Sequence, residues 1–328
     1  MKLCTFSFPT PLGEAYRVGV VDQGVVIDAS AARTAFLEKE LPIDAASRIG
    51  LAQVPPDMVE LIASGDTSIA WIAEAIDHVR LLGREVTGRG TQIFHDLQRV
   101  TLQAPVLRPP GIACFVTWPA HIADSRDKGF TMLNFPAVDG ALRAYYKGNV
   151  TAVERPGTTL PKPPYAEDTD VECEMAAVIG TGGRNLSLEE ARQAIVGYTI
   201  FNDVSYRKIQ NEEMKFGLGP TKGKDADHSN VLGPWIVTAD EIGDPQNLEL
   251  AFAVNGQQIS SYHTSKMAWG FADLVAYLSK GQTLLPGQIV TSGSYPGGSG
   301  LDAYIRLVAG DHVSMIIEKI GSLDSRIG

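Results

Sequence analysis

DVECEMAAVIG, residues 170–180, decides how this chain is read, because it sets Glu172 and Glu174 one residue apart at the head of an uncharged run. In a strand, residues i and i+2 share a face, so Glu172 and Glu174 point one way while Val171, Cys173 and Met175 point the other. Two carboxylates so placed lie within about 7 Å of each other. Repulsion and partial burial then force one of them to take up a proton unless a cation sits between them. The plain alternative is the wet face of a half-exposed strand, the usual place for acids.

A third acid bears on that choice. Asp203 follows the apolar run GYTIF and precedes VSYRKIQ, so it too stands where a strand gives out. Three carboxylates converging on one point make a hard-oxygen cage suited to Mg²⁺, Mn²⁺ or Ca²⁺ and a poor zinc site, since zinc favours His and Cys. Spacing alone leaves both readings open.

Working outward, the chain has 328 residues, 44% of them hydrophobic, and a formal net charge of -10. That length supports one large core plus a smaller module. The negative balance, with no basic patch, argues against nucleic acid as a partner. The opening MKLCTFSFPTPLGEAYRVGVV alternates like a strand and lacks the uninterrupted apolar core of a signal peptide. No later stretch is long and apolar enough to span a bilayer, and the expectation is a soluble, cytoplasmic protein without membrane contact. Cys4, Cys114 and Cys173 are odd in number and widely spaced, which fits reduced, buried thiols and neither a disulfide framework nor a zinc pattern.

Residues 1 to about 30 read as short strands with a turn at Asp22-Gln23-Gly24, and 31 to about 98 as helices. VPPDMVELIASG has Pro55 and Pro56 ahead of one helix and Gly65 after it, and IAWIAEAIDHVRLLG carries apolar residues at helical spacing. The prolines of QAPVLRPPG, 103–111, suit an extended linker, which puts a boundary near residue 104. We therefore expect a smaller α/β N-terminal helper domain, 1–104, and a catalytic domain, 105–328. In the latter, strand-like runs such as GIACFV, GPWIVT and LELAFAVNGQQI outnumber helices, and the connections are too short for repeated crossovers. An α+β, mainly β fold with a mostly antiparallel sheet follows. Ser187-Leu188-Glu189-Glu190 has capping-box spacing, and Gly281 ends a helix over WGFADLVAYLS.

Two glycine-rich stretches invite other chemistry and fail. GLGPTKGKD has Leu218 where a phosphate-binding loop needs its first glycine, and Asp225 follows Lys224 where Ser or Thr is required. Around Ser299 the chain lacks the last glycine of a nucleophile elbow. Among the histidines, His121 in WPAHIADSRD stands three residues before Asp124. If Pro119 opens a helix the two share a face, and the carboxylate orients the imidazole as a general base. A surface or packing role is the usual one for a single histidine, and this segment alone does not overturn it.

With these residues in order, the chain resembles the fumarylacetoacetate hydrolase family over roughly residues 105–328. The resemblance is carried by Glu172 and Glu174, by Asp203 in GYTIFNDVSYRKIQ, by Lys222, Gly223 and Asp225 in TKGKDADHSNVLGPWIVTADEI, and by PGQIVTSGSYPGG. It implies a mixed β-roll binding one divalent ion, usually Mg²⁺ or Mn²⁺, through Glu172, Glu174 and Asp203. It also implies activity on small 2-oxo or 2,4-dioxo acids, commonly as a homodimer. Gln210 and Lys222 fall where the family places polar contacts to metal-bound water or substrate. Ser294 stands at a usual threonine, His121 matches the basic histidine, Asp124 replaces its usual glutamate partner, and Lys147 resembles a substrate-side lysine. The lead-in Thr117-Trp118-Pro119-Ala120 departs from the family's usual pattern. The function implied is hydrolysis of a C–C bond in an acylpyruvate-type acid. A lyase dehydrating a 2-keto-3-deoxy sugar acid or decarboxylating oxaloacetate, and a non-catalytic metabolite binder, are the alternatives.

Overall fold

The computed structural model of the chain describes residues 1–127 and 142–328, with helix but no side chains over 124–127. Its centre is the strand Cys173–Ile179, every residue of which is buried. Cys173, Met175, Ala177 and Ile179 face one apolar core, while Ala176 and Val178 face a second. A strand covered on both sides has no use for polar alternation, which is why this run carries no charge after Glu174.

On one edge Cys173–Ile179 pairs antiparallel with Ile195–Asp203, which pairs antiparallel with Asn230–Thr238. On the other it pairs antiparallel with Ile289–Thr291, which runs parallel to Ile112–Phe115; Tyr145–Lys147 follows antiparallel. These strands belong to a sheet of twelve among the described residues. A five-stranded sheet, which includes Glu249–Val254, Gln257–His263, His312–Ile317 and Gly321–Ile327, closes the first core from the other side. The hairpin between its first two strands turns on Asn255 and Gly256, both at positive φ (51° and 78°), as a two-residue hairpin turn demands. The architecture is thus mixed α/β, rich in strands and mostly antiparallel.

The N-terminal strands Lys2–Thr10, Gly13–Asp22 and Val25–Asp28 form a meander, with the predicted turn at Asp22-Gln23-Gly24. Helices Ala29–Leu37, Ile43–Gln53, Met58–Ala63 and Asp66–Leu81 follow. Lys2–Thr10 pairs with Asn230–Thr238 (Leu3↔Ile236), so the large sheet runs across the linker at 103–111. The second core mixes Leu3, Ile27 and Leu61 with Ala176, Phe201 and Ile289. Ser187 and Glu190 form the predicted capping box, and all three cysteines are buried and free. Among the described residues no helix is long and apolar enough to cross a membrane.

Candidate active site

Glu172 directly precedes Cys173–Ile179, Glu174 is that strand's second residue, and Asp203 closes the neighbouring antiparallel strand. Cys173 lies opposite Asn202, so the start of one strand meets the end of the other and the three acids arrive together. One oxygen from each lies within 4.8 Å of the others. All three are buried, which removes the solvated-face reading of Glu172 and Glu174.

Two buried cations partly offset them. Lys224 Nζ lies 2.7 Å from Glu172 Oε2 and 2.8 Å from Asp203 Oδ2, and donates to Ser205 Oγ at 2.7 Å. Arg207 Nη1 sits 2.7 Å from Glu172 Oε1. Tyr146 donates its hydroxyl to Asp203 Oδ2 at 2.6 Å. Burial raises the Glu172 carboxyl, but Arg207 and Lys224 outweigh it and hold the group well below the usual carboxylate range. Among the described residues Glu174 forms no ion pair, and its Oε2 accepts from Gly293 N at 3.1 Å. Burial, then the charges of Asp203 and Glu172, push it well above the usual range. Asp203 is also raised, by burial and Glu172, with Lys224 acting the other way. Arg207 is shared with buried Asp170, whose Oδ2 lies 2.7 Å from its Nε, so four acids face two cations and the cluster, counted fully ionised, is two positive charges short of balance.

A divalent ion fits that shortage. Asp203 Oδ1 is buried without a hydrogen-bond partner, a state that costs a carboxylate oxygen unless something else binds it. The donor set is all oxygen, which suits a hard dication such as Mg²⁺, Mn²⁺ or Ca²⁺. Glu172, Glu174 and Asp203 are the residues that would hold it, and they open onto a cleft of 690 Å³.

His121 lines the same cleft, on a helix spanning Pro119–Asp127 that Pro119 does open. The unusual lead-in has a physical use: Trp118 Nε1 donates to Gly293 O at 2.8 Å and Thr117 Oγ1 to Ser292 O at 2.5 Å, fixing the helix start against the glycine-rich turn. His121 Nδ1 lies 2.6 Å from Asp302 Oδ2. A carboxylate only accepts, so Nδ1 carries the proton there and Nε2 is left as an acceptor. The side chain of Asp124, expected to orient His121, lies outside the described residues.

The remaining expected residues divide. Gln210, Ser294 and Lys147 all line the cleft. Gln210 Oε1 accepts from Arg207 Nη1 at 3.2 Å, Ser294 Oγ donates to Tyr295 O at 3.4 Å, and Lys147 is exposed. Lys222 is not brought to the carboxylates: its ammonium is exposed and pairs with Asp225 Oδ1 at 3.1 Å. In the turn TKGKD, with Lys224 N bonded to Thr221 O, the second lysine is the one directed inward. Lys224, Arg207, Tyr146 and Asp302 are therefore the site residues that sequence reasoning missed. Lys224 and Arg207 stand in quoted motifs but carry no local signal that separates them from Lys222 and Lys208. Asp302 lies 181 residues from His121, beyond the reach of any spacing rule.

A strand-rich α/β fold with a buried carboxylate trio at the floor of a cleft defines a class of proteins built to hold one hard cation beside a small ligand. The chain belongs to the fumarylacetoacetate hydrolase family: the model of the fumarylacetoacetate (FAA) hydrolase C-terminal domain matches residues 113–328. It is 28% identical to oxaloacetate tautomerase YisK of Bacillus subtilis, over 96% of this chain and 98% of that protein. It is 37% identical to a 2,4-didehydro-3-deoxy-L-rhamnonate hydrolase of Sphingomonas sp., over 53% of this chain and 60% of the other. In fold it is similar to maleylpyruvate hydrolase from Sphingobium sp. SYK-6, solved in complex with manganese(II) ion and pyruvate, at a TM-score of 0.68, 23% identity and coverage of 100% and 98% of the two chains.

Proposed function

We propose that this enzyme hydrolyses a C–C bond of a 2,4-dioxo acid of the acylpyruvate type, giving a carboxylic acid and pyruvate, with Mg²⁺ or Mn²⁺ held by Glu172, Glu174 and Asp203. The observation that carries the reading is that this buried trio and the His121–Asp302 pair open onto one cleft. The manganese and pyruvate bound by the fold relative above support it. A bound dication supplies Lewis acidity that favours the enolate of a 2-oxo acid.

The chain's own residues do the rest. Lys224 and Arg207 offset part of the negative charge of the trio, so that with the dication bound the site would no longer repel an anionic substrate. His121, held through Nδ1 by Asp302, takes a proton from water at Nε2. The water oxygen bonds to the 4-carbonyl carbon, and the C3–C4 bond breaks with its electron pair left on the pyruvate enolate. His121 then returns the proton to C3, so one water is consumed per bond cleaved. Lys147, Gln210 and Ser294 are the further substrate contacts in this reading, all three lining the cleft. Residues 1–104 serve as the helper unit, and the family resemblance supports a homodimer, which light scattering would test.

A second reading, oxaloacetate tautomerase, is favoured by the relative that matches nearly the whole chain. There His121 would only remove and return a proton at C3. Incubation with an acylpyruvate and with oxaloacetate, each with Mn²⁺ or Mg²⁺, separates the two. Acid plus pyruvate from the first substrate supports hydrolysis, and keto–enol exchange of the second without cleavage of the first supports tautomerisation. Inertness towards both would sink the assignment.

A further inference from the structure

Asp170 is buried and every side-chain oxygen of it is engaged. Oδ1 accepts from Gly300 N at 2.8 Å; Oδ2 accepts from Leu301 N at 3.1 Å and from Arg207 Nε at 2.7 Å. Its backbone exchanges two hydrogen bonds with Ser205, at 2.8 and 2.9 Å. From this one carboxylate two chains of contact lead outward. The first passes through Arg207 to Glu172 Oε1 at 2.7 Å, one of the candidate metal ligands. The second passes through the turn that begins at Ser299, whose Oγ accepts from Asp302 N at 3.0 Å, to Asp302 and so to His121 Nδ1.

Gly300 makes the second route possible. A Cβ there would stand 2.4 Å from Asp170 Oδ1 and 2.9 Å from Ile305 O, so any side chain would displace the turn from the carboxylate. No other residue type lets the turn's backbone come this close.

We propose that Asp170 is a positioning residue that sets the distance between the metal-ligating carboxylate of Glu172 and the His121–Asp302 pair. This rests on the reading of the site given above. A merely structural Asp170 would lower stability and leave metal affinity and turnover of the folded fraction as they were. A positioning Asp170 moves both, because a ligand-orienting partner is worth about 10- to 100-fold in metal affinity or activity, and a displacement of about 1 Å at a reacting group costs on the order of 100-fold in rate.

The test uses the full chain, Asp170→Asn and Gly300→Ala, each shown to be folded by circular dichroism. Two quantities are read: the Mn²⁺ dissociation constant by competition with a chromophoric chelator, and kcat at saturating Mn²⁺. Asp170→Asn is expected to weaken Mn²⁺ binding about tenfold and lower kcat on the order of 100-fold. Gly300→Ala is expected to lower kcat at least about tenfold through the turn, with a smaller change in Mn²⁺ affinity. Folded Asp170→Asn protein with unmutated affinity and kcat overturns the proposal. If Asp170→Asn does not fold, Gly300→Ala decides alone, and an unchanged kcat overturns it. Failure of the underlying reading is seen separately: the unmutated chain would then bind no Mn²⁺ or turn over no oxo acid, and the proposal would fall with it.

Discussion

Replacing Lys224 by methionine keeps an unbranched side chain one atom shorter while removing the ammonium between Glu172 and Asp203. At an effective dielectric of about 20, contacts at 2.7 and 2.8 Å each give roughly 6 kcal/mol of gross attraction, most of it offset by the desolvation of three charged groups. Removing one partner of such a buried pair leaves a net cost of about 3–5 kcal/mol, because the remaining carboxylates stay buried without compensation. In EDTA the variant should therefore melt at least about 5 °C below the parent by circular dichroism. Millimolar MnCl₂ should restore much of the loss, since an ion that binds only the folded state adds about 2.7 kcal/mol at 100 times its dissociation constant. Lys222→Met, at the exposed pair with Asp225, should leave the melting curve unchanged. If Lys224→Met in EDTA melted with the parent, the charge argument for the trio would be wrong.

Asp302→Asn should lower kcat by about 10²- to 10⁴-fold with little effect on Mn²⁺ affinity, because it disturbs the tautomer and orientation of His121 and not the carboxylates. Equal kcat by a continuous assay of dioxo-acid loss would remove Asp302 as the partner that orients His121. Burial pushes the Asp28 carboxyl from 3.8 up to about 6. The unfolded chain ionises first, so the stability tied to the protonated group is full below about pH 4 and is lost as pH rises through about 6, roughly 3 kcal/mol in all. Asp28→Asn keeps an acceptor for Ala31 N and should gain on the parent across that window, which urea melts at pH 4 and 7 would show.

How much of this was legible beforehand follows from the range of the forces involved. Strand period placed Glu172 and Glu174 on one side, and the end of an apolar run marked Asp203, because both are local properties of the chain. The cap at Ser187 was readable for the same reason, whereas LELAFAVNGQQI, read as one strand-like run, folds as a hairpin about Asn255-Gly256. The choice of Lys224 over Lys222 was not, since it depends on how one turn is held by Thr221 and Glu213. Asp302 reaches His121 only after the sheet has assembled. The pairing of Leu3 with Ile236 likewise joins segments whose local patterns gave no sign of a shared sheet.

The claim beneath all of this is that one dication is gripped by Glu172, Glu174 and Asp203. Calorimetric titration of Mn²⁺ into metal-stripped protein and into Asp203→Ala measures it directly. The account predicts one saturable site per chain in the first and none over the same concentrations in the second. Saturable binding of equal strength in both, or heat from neither, would contradict it.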